Sequence, residues 1–224
     1  MKKSKKLIAV LMTSILGAAL FLTGCGEKPA TADVTAKAFY NLYILGDSTE
    51  IEKIALTKDE STQILDKLKS TSEAETENII KSKGFQITTD ELDAIYNAEM
   101  EDLKKLTVTT EIVSEDKDKA TIKLTTAYVD TTAIYNKALE GAKNEASAMG
   151  LTKQLELNNK VVELYKNKII EGFKVAQPST EIKESTFECQ KQAFPVNGES
   201  KDLWFPVDME KFGADINKMA TNQQ

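Results

Sequence analysis

Two cysteines, Cys25 and Cys189, are the residues of this 224-residue sequence best suited to covalent chemistry. Cys25 stands in the segment LTGCGEKP, where a long apolar run stops, and Cys189 stands in FECQ near the other end. A thiolate is a nucleophile that can take up a covalent group. A cysteine nucleophile usually needs a histidine partner, and the sequence contains no histidine. Cys25 can therefore pack in a core, form a disulfide or serve as an attachment point.

The residues before Cys25 have the pattern of a secretory signal. The chain opens MKKSKK, with four lysines and no acid, and continues with the apolar run LIAVLMTSILGAALFL. A basic start, an apolar stretch and small residues before a break are typical of a signal peptide. A spanning helix needs about 20 apolar residues, and this run is shorter, so a retained anchor helix is the weaker alternative.

The motif Leu22-Thr23-Gly24-Cys25 resembles the lipobox of bacterial lipoproteins. The resemblance implies that diacylglycerol is attached to the Cys25 sulfur and that the signal is cleaved between Gly24 and Cys25. Residues 1–24 are then the signal peptide, 25–31 a lipidated tether and 32–224 a single α+β domain. An ordinary secretory signal with an incidental cysteine is the alternative. We expect a protein anchored by lipid to the extracytoplasmic face of the cell membrane.

The charged residues exclude several classes of function. The chain has 29 lysines, no arginine and 35 acidic residues, and its net charge is −6. Loss of residues 1–24 would remove four lysines and no acid, leaving a net charge of −10. Such a chain lacks the basic surface that nucleic-acid binding requires. Without histidine it has no Ser-His-Asp triad and lacks the commonest metal ligand.

Cys189 is predicted to be a buried core thiol. A thioether at Cys25 would leave Cys189 without an intramolecular disulfide partner. Cys189 follows Phe187 at the two-residue spacing of a strand, and free cysteine is among the most buried residue types.

Helices are predicted before the first strand. ADVTAKAFYNLYILGD carries an apolar stripe that includes Val34, Ala38 and Leu42 and ends at Gly46. Two capping boxes, Thr57 with Glu60 and Thr88 with Glu91, open two further helices. The helix after Thr57 either continues or breaks in the polar stretch STSEAETE.

The pattern then changes to the two-residue period of strands. Residues 107–130 predict a hairpin with the turn SEDKDK, because threonine and β-branched residues alternate on both sides. A helical excursion over 132–173 follows, with a break at Gly150. A second hairpin turns at Asn197-Gly198 and ends in KDLWFPV, and Asp208 caps a short terminal helix. Two antiparallel hairpins with segregated helices indicate an α+β fold.

Three segments carry a resemblance to a family. FYNLYILGD, SEDKDKATIKLTTAYVD and DLWFPVDMEKFG look like an uncharacterised family of lipoproteins from low-GC Gram-positive bacteria. The resemblance implies a cystatin-like or NTF2-like α+β architecture with a cavity between the sheet and its helices. The candidate pocket is lined by aromatic residues: Phe39, Tyr40, Tyr43, Tyr128 and Trp204. The alternative is that these rings simply fill the core.

The remaining acidic groups are expected on solvated surfaces. Glu73, Glu75 and Glu77 alternate in a polar stretch, which does not bring all three to one helical face. The same is expected of Glu99, Glu101 and Asp102, since nothing in the sequence indicates that any of them is buried. Asp116 and Asp118 lack the glycine and the final glutamate of a calcium loop. We therefore expect no metal site, no catalytic residues and no cofactor.

These features favour a non-enzymatic lipoprotein, with the membrane as its partner through diacylglycerol on Cys25. We expect it to bind a small molecule, a peptide or an envelope component. The alternative is a structural or interaction lipoprotein that docks a membrane or cell-wall protein through a sheet or helix face. An enzyme is the least favoured function, since it would depend on carboxylate or lysine chemistry.

Overall fold

The computed structural model describes residues 30–196 and 199–223. The predicted signal peptide, Cys25 and the predicted Asn197-Gly198 turn lie outside these residues. The described part is an α+β fold of helices and a four-stranded antiparallel sheet, as the sequence predicts.

The first predicted helix ends where expected but changes its geometry on the way. Helix α1, Ala32–Tyr40, passes into a π-helical segment, Asn41–Leu45, which Gly46 ends with a φ of 67°. The positive φ is the conformation that glycine adopts at helix ends. Val34 was predicted on the buried stripe but is 44% exposed. A six-residue helix, α2, Thr49–Ile54, follows and was not predicted.

Both predicted capping boxes are confirmed, one at each of the next two helices. Thr57 and Glu60 cap α3, Lys58–Ser82, and Thr88 and Glu91 cap α4, Thr89–Leu103. The alternative of a break in the polar stretch is wrong, because α3 runs unbroken for 25 residues. Ion pairs one turn apart support it there: Lys69 with Glu73 at 3.5 Å and Lys81 with Glu77 at 2.7 Å.

The sheet is a simple meander of four strands. Strands β1, Val108–Glu115, and β2, Lys119–Thr126, form the first hairpin. Strands β3, Lys183–Val196, and β4, Glu199–Pro206, form the second. The hairpins join through antiparallel pairing of β2 with β3, so the strand order is β1-β2-β3-β4.

Two long helices separate the hairpins along the chain. Helix α5, Thr131–Ala148, and helix α6, Gln154–Val175, form a helical hairpin that turns at Gly150, where φ is 65°. The terminal helix α7, Met209–Thr221, begins with Asp208, whose Oδ1 accepts the Lys211 amide hydrogen at 2.8 Å. Both features match the sequence prediction.

The buried apolar residues form two groups. The sheet cluster joins the strands to α1, the π-helical segment, α2 and α7, and includes Leu42, Ile122, Trp204 and Phe212. The helical cluster joins the end of α3 to α4, α5 and α6, and includes Ile80, Ile95, Tyr165, Ile169 and Phe173. Ile134 on α5 packs against both. Within the described ranges no helix is both long and apolar enough to cross a bilayer.

Candidate functional site

A cleft opens in the helical part of the molecule. It has a volume of about 180 Å³ and lies among α3, α4, α5 and α6. We call it the helical cleft, and the residues that line it are Ser72, Glu75, Thr76, Ile79, Lys83, Glu99, Thr131, Thr132, Tyr135, Asn136, Leu139, Tyr165 and Gln223. Pockets for drug-sized ligands occupy about 300–1,000 Å³, so this one suits a smaller molecule.

Helical spacing brings these side chains together. Glu75 and Ile79 are four residues apart on α3, and Tyr135 and Leu139 are four apart on α5, so each pair shares one face of its helix. Glu99 faces them from α4. The lining of the helical cleft thus combines two tyrosine rings and two aliphatic side chains with two carboxyl groups, one lysine and several uncharged polar side chains.

Glu99 is the most perturbed carboxyl group of the helical cleft. Burial, together with the negative charges of Glu75 and Asp102, raises its pKa from 4.5 to about 7. Burial also raises the pKa of Glu75. No hydrogen-bond donor or cation among the described residues contacts the Glu99 carboxylate. Near neutral pH this group is therefore poised between its neutral and its charged form.

Asp102 adds a deeper negative charge next to Glu99. It lies three residues further along α4 and is 1% exposed. Its Oδ1 accepts a hydrogen bond from Lys105 Nζ at 2.9 Å, but its Oδ2 is buried without a donor in the described part of the chain. A buried carboxylate oxygen without a donor is costly, which leaves local negative charge only partly compensated.

The two tyrosines of the helical cleft are held by neighbouring aromatic rings. Tyr135 meets Phe173 edge-to-face with ring centroids 6.0 Å apart, and Tyr165 meets Phe85 at 5.7 Å. The Tyr135 hydroxyl lies 3.3 Å from Thr76 Oγ1. Burial raises the pKa of Tyr135, and the charge of Glu99 adds to it. Both rings are therefore fixed and neutral at physiological pH.

The solvated surface predicted for the acidic residues is wrong for four of the six. Glu75 and Glu99 are half-buried and line the helical cleft, and Asp102 is buried. Glu77 and Glu101 do lie at the surface, in ion pairs with Lys81 and Lys104. Glu73 is half-buried and pairs with Lys69. The burial was not predicted because α4 packs against α6, and this contact covers a face of α4 whose residues are polar.

The predicted pocket aromatics occupy the sheet cluster. Phe39, Tyr40 and Trp204 are each less than 5% exposed, and Tyr43 stacks on Phe39 with centroids 6.0 Å apart. Tyr128 lies just beyond β2 and donates a hydrogen bond to Glu181 at 3.0 Å. This packing favours the core alternative. The helical cleft contains none of the five, and their role in a pocket stays a prediction.

A second cleft, of about 390 Å³, lies where β4 turns into α7. Its lining includes Thr121, Glu188, Asp208 and Lys211. Asp208 already caps α7 through its own side chain. The lining includes none of the predicted aromatic residues, and its charged groups are of both signs.

Cys189 is buried and free, as predicted. It is 1% exposed and pairs with Pro206 in the β3–β4 register. Burial raises the pKa of its thiol to about 12, so it stays protonated and unreactive at neutral pH. Among the residues that the structure describes, no three acidic or cysteine side chains are grouped closely enough to hold a metal ion.

Comparisons with known proteins give one structural likeness. No protein-family model matches the chain, and no curated protein matches it. The crystal structure of a putative lipoprotein (ycdA) from Bacillus subtilis is similar, with a TM-score of 0.59 and 19% sequence identity. The likeness covers 84% of this chain and 56% of that protein, so this chain spans just over half of its length. At this identity the likeness shows a shared fold.

Proposed function

We propose that this protein is a lipid-anchored, extracytoplasmic protein that binds a small molecule in the helical cleft without transforming it. The observation that carries the binding proposal is Glu99, a half-buried carboxyl group that faces a small cleft and has no partner among the described residues. A packed helical bundle without a ligand gains nothing from such a group, because its charged form is poorly solvated there. A ligand that approaches it would supply the missing contact.

The anchoring proposal is supported by two independent features. Leu22-Thr23-Gly24-Cys25 has the order of a lipobox after a signal-like segment. The Bacillus subtilis protein of similar fold is itself described as a putative lipoprotein, which agrees with membership of a Gram-positive lipoprotein family. Diacylglycerol on Cys25, with palmitate among its acyl chains, would hold the folded body close to the outer face of the membrane.

The fold-family assignment belongs to the same proposal. A four-stranded antiparallel sheet with α1 packed against it suits an NTF2-like or cystatin-like core. The helical cleft lies among α3, α4, α5 and α6, so ligand binding in this chain would use these helices rather than the sheet. We propose that both parts form the single domain of residues 32–224.

Two experiments test the proposal. Bacteria expressing the wild type and the Cys25→Ser variant are labelled with a clickable palmitate analogue and fractionated. We expect label and membrane association in the wild type alone, and equal labelling of the variant would contradict anchoring at Cys25. Native mass spectrometry of the wild type from solubilised membranes should then show an added small-molecule mass. A stoichiometric protein partner in place of that mass would favour the docking alternative.

A further inference from the structure

We propose that the helical cleft selects a small organic amine, whose ammonium group lies beside Glu99 and Glu75 and whose apolar part packs against Tyr135, Tyr165 and Leu139. This inference rests on the proposed binding function and names its ligand class. A cation fits here for two separate reasons: the charge of the helical cleft and the chemistry of its walls.

The charge near the base of the helical cleft is negative and incompletely paired. Glu75 and Glu99 line it. Asp102 does not line it, but its buried Oδ2, one turn along α4 from Glu99, has no donor among the described residues. Lys105 compensates Asp102 only at Oδ1, at 2.9 Å. Lys83 is the lysine that lines the helical cleft, but it is exposed and forms no ion pair with a described carboxylate. A ligand ammonium would supply the missing positive charge and up to three hydrogen-bond donors.

The walls favour an organic cation over a bare metal ion. Metal ions such as Mg²⁺ and Ca²⁺ need several oxygen ligands around one point, and no described group of three carboxylates meets that need. The tyrosine rings and Leu139 instead offer apolar and aromatic surface. Aromatic faces attract organic cations, and edge-to-face contacts with Phe173 and Phe85 hold these rings in place.

Binding of an amine should depend on pH, because Glu99 must lose its proton when the ammonium binds. The titratable groups that line the helical cleft with Glu99 are Glu75 on α3, Lys83 just after α3, Tyr135 on α5 and Tyr165 on α6. Asp102 acts on Glu99 from the same helix, α4. The raised pKa of Glu99 means that the group is partly protonated at neutral pH, whereas both tyrosines stay neutral. An ammonium binds the charged form of Glu99 better, so binding near pH 7 must release a proton from it.

The test compares three probes of nearly equal shape: 3-phenylpropylamine, 3-phenylpropan-1-ol and 3-phenylpropanoate. Each is titrated calorimetrically into the full-length protein in a neutral detergent at pH 8. We expect the amine to bind at least tenfold more tightly than the alcohol, and the carboxylate not to bind. At pH 7 the apparent binding enthalpy should vary with the ionisation enthalpy of the buffer, because Glu99 releases its proton.

Matched variants assign the effect to the helical cleft. Glu99→Gln and Glu101→Gln each remove one charge from α4, but Glu101 is exposed and pairs with Lys104 at 2.7 Å. We expect Glu99→Gln to weaken binding of the amine at least tenfold and Glu101→Gln to change the affinity less than twofold. Glu75→Gln provides an independent second variant with the same expected direction.

The outcomes separate this inference from the proposed function. Equal binding of amine and alcohol, lost when Leu139 is replaced by a tryptophan that fills the helical cleft, would keep small-molecule binding and overturn selection of a cation. Equal weakening by Glu99→Gln and Glu101→Gln would reduce the effect to general surface charge and overturn it as well. If none of the three probes binds, the amine assignment is wrong, and a co-purified mass in native mass spectrometry would still support the proposed function.

Discussion

The sheet cluster and the surroundings of the helical cleft differ in how their polar side chains are paired. In the sheet cluster the Tyr40 hydroxyl lies 2.6 Å from Thr126 Oγ1, and Thr126 Oγ1 in turn donates to the Ala127 carbonyl oxygen at 2.8 Å. The Tyr40 hydroxyl must therefore be the donor to Thr126. Beside the helical cleft, the Glu99 carboxylate has no hydrogen-bond donor among the described residues. Asp102 Oδ2 on α4 is buried without a donor in the same part of the chain, and so is Asp33 Oδ1 on α1.

We propose that this difference in pairing distinguishes the region that supports the fold from the region that binds a ligand. Paired hydroxyl groups cost little to bury and help to fix a single packing arrangement, whereas unpaired carboxylates lower stability. The unpaired carboxylate beside the helical cleft is therefore a feature that packing of the helices does not require. Under the proposed function, the sheet is the supporting part and the helices bind the ligand.

The largest expected effect is on the stability of the sheet cluster. Trp204 is 3% exposed, and Trp204→Ala should lower the free energy of unfolding by about 3–5 kcal/mol, because it leaves a cavity. Urea unfolding followed by circular dichroism measures this. Trp204→Phe is the milder control. A loss below about 1 kcal/mol for Trp204→Ala would mean that the ring borders open space, as the pocket prediction requires. It would contradict the role of the sheet cluster as a filled core.

The next effect is a gain of stability in the helical part. The folded-state pKa of Glu99, about 7, lies above 4.5, so the folded protein holds this proton more tightly than the unfolded chain does. That contribution is complete below about pH 4.5 and is lost as the pH rises to 7. Glu99→Gln should therefore stabilise the protein by up to about 3 kcal/mol at pH 8, since each pKa unit corresponds to about 1.4 kcal/mol.

The pH dependence provides the control for this gain. At pH 4 Glu99→Gln should leave the free energy of unfolding nearly unchanged, because the wild-type group is then neutral. Glu101→Gln should change stability by less than about 0.5 kcal/mol at either pH, as expected for an exposed ion pair. Destabilisation by Glu99→Gln at pH 8 would show that the carboxylate has a partner in the folded protein.

A smaller loss is expected from the paired hydroxyl groups. Tyr40→Phe removes the donor to Thr126 Oγ1 and should cost about 1–2 kcal/mol, since a buried acceptor is left with one partner fewer. Thermal unfolding at several pH values checks both the size and the expected lack of pH dependence between pH 5 and 8. A cost that changes across this range would link the sheet cluster to a titrating group.

The smallest effect compares the two capping boxes. Thr57→Ala and Thr88→Ala each remove a side-chain acceptor for a helix amide and should each cost about 1 kcal/mol. Glu91 of the second box also pairs with Lys166 on α6. Thr88→Ala should therefore slightly weaken amine binding by loosening α4, whereas Thr57→Ala should not. Calorimetric titration of both variants with 3-phenylpropylamine distinguishes them.

Local patterns explain why much of the fold could be predicted from the sequence. Thr57 with Glu60, Gly46, Gly150 and the alternation around SEDKDK are short-range signals, and the structure confirms the element that each predicts. Pairing of β2 with β3 also fits the predicted two-hairpin sheet. The π-helical segment and α2 carry no comparable local signal, and they went unpredicted.

The candidate site depended on long-range packing, which the sequence does not display. Glu99 and Glu101 are two residues apart in a similar acidic context, yet one lines the helical cleft and the other pairs with Lys104 in solvent. The difference arises because α4 packs against α6, more than 50 residues later in the chain. The sequence placed the candidate pocket among the aromatic residues at the sheet for the same reason. An aromatic ring that fills a core and one that lines a pocket have the same sequence pattern.

The most direct test of the account is the titration of the Glu99 side chain itself. Its carboxyl carbon is followed by NMR from pH 4 to 9 in full-length protein, and the signal is assigned by its loss in Glu99→Gln. We expect a midpoint near pH 7 in the free protein and a lower midpoint with saturating 3-phenylpropylamine. A midpoint near 4.5 that the amine leaves unchanged would contradict both the buried carboxyl group and its role in binding a cation.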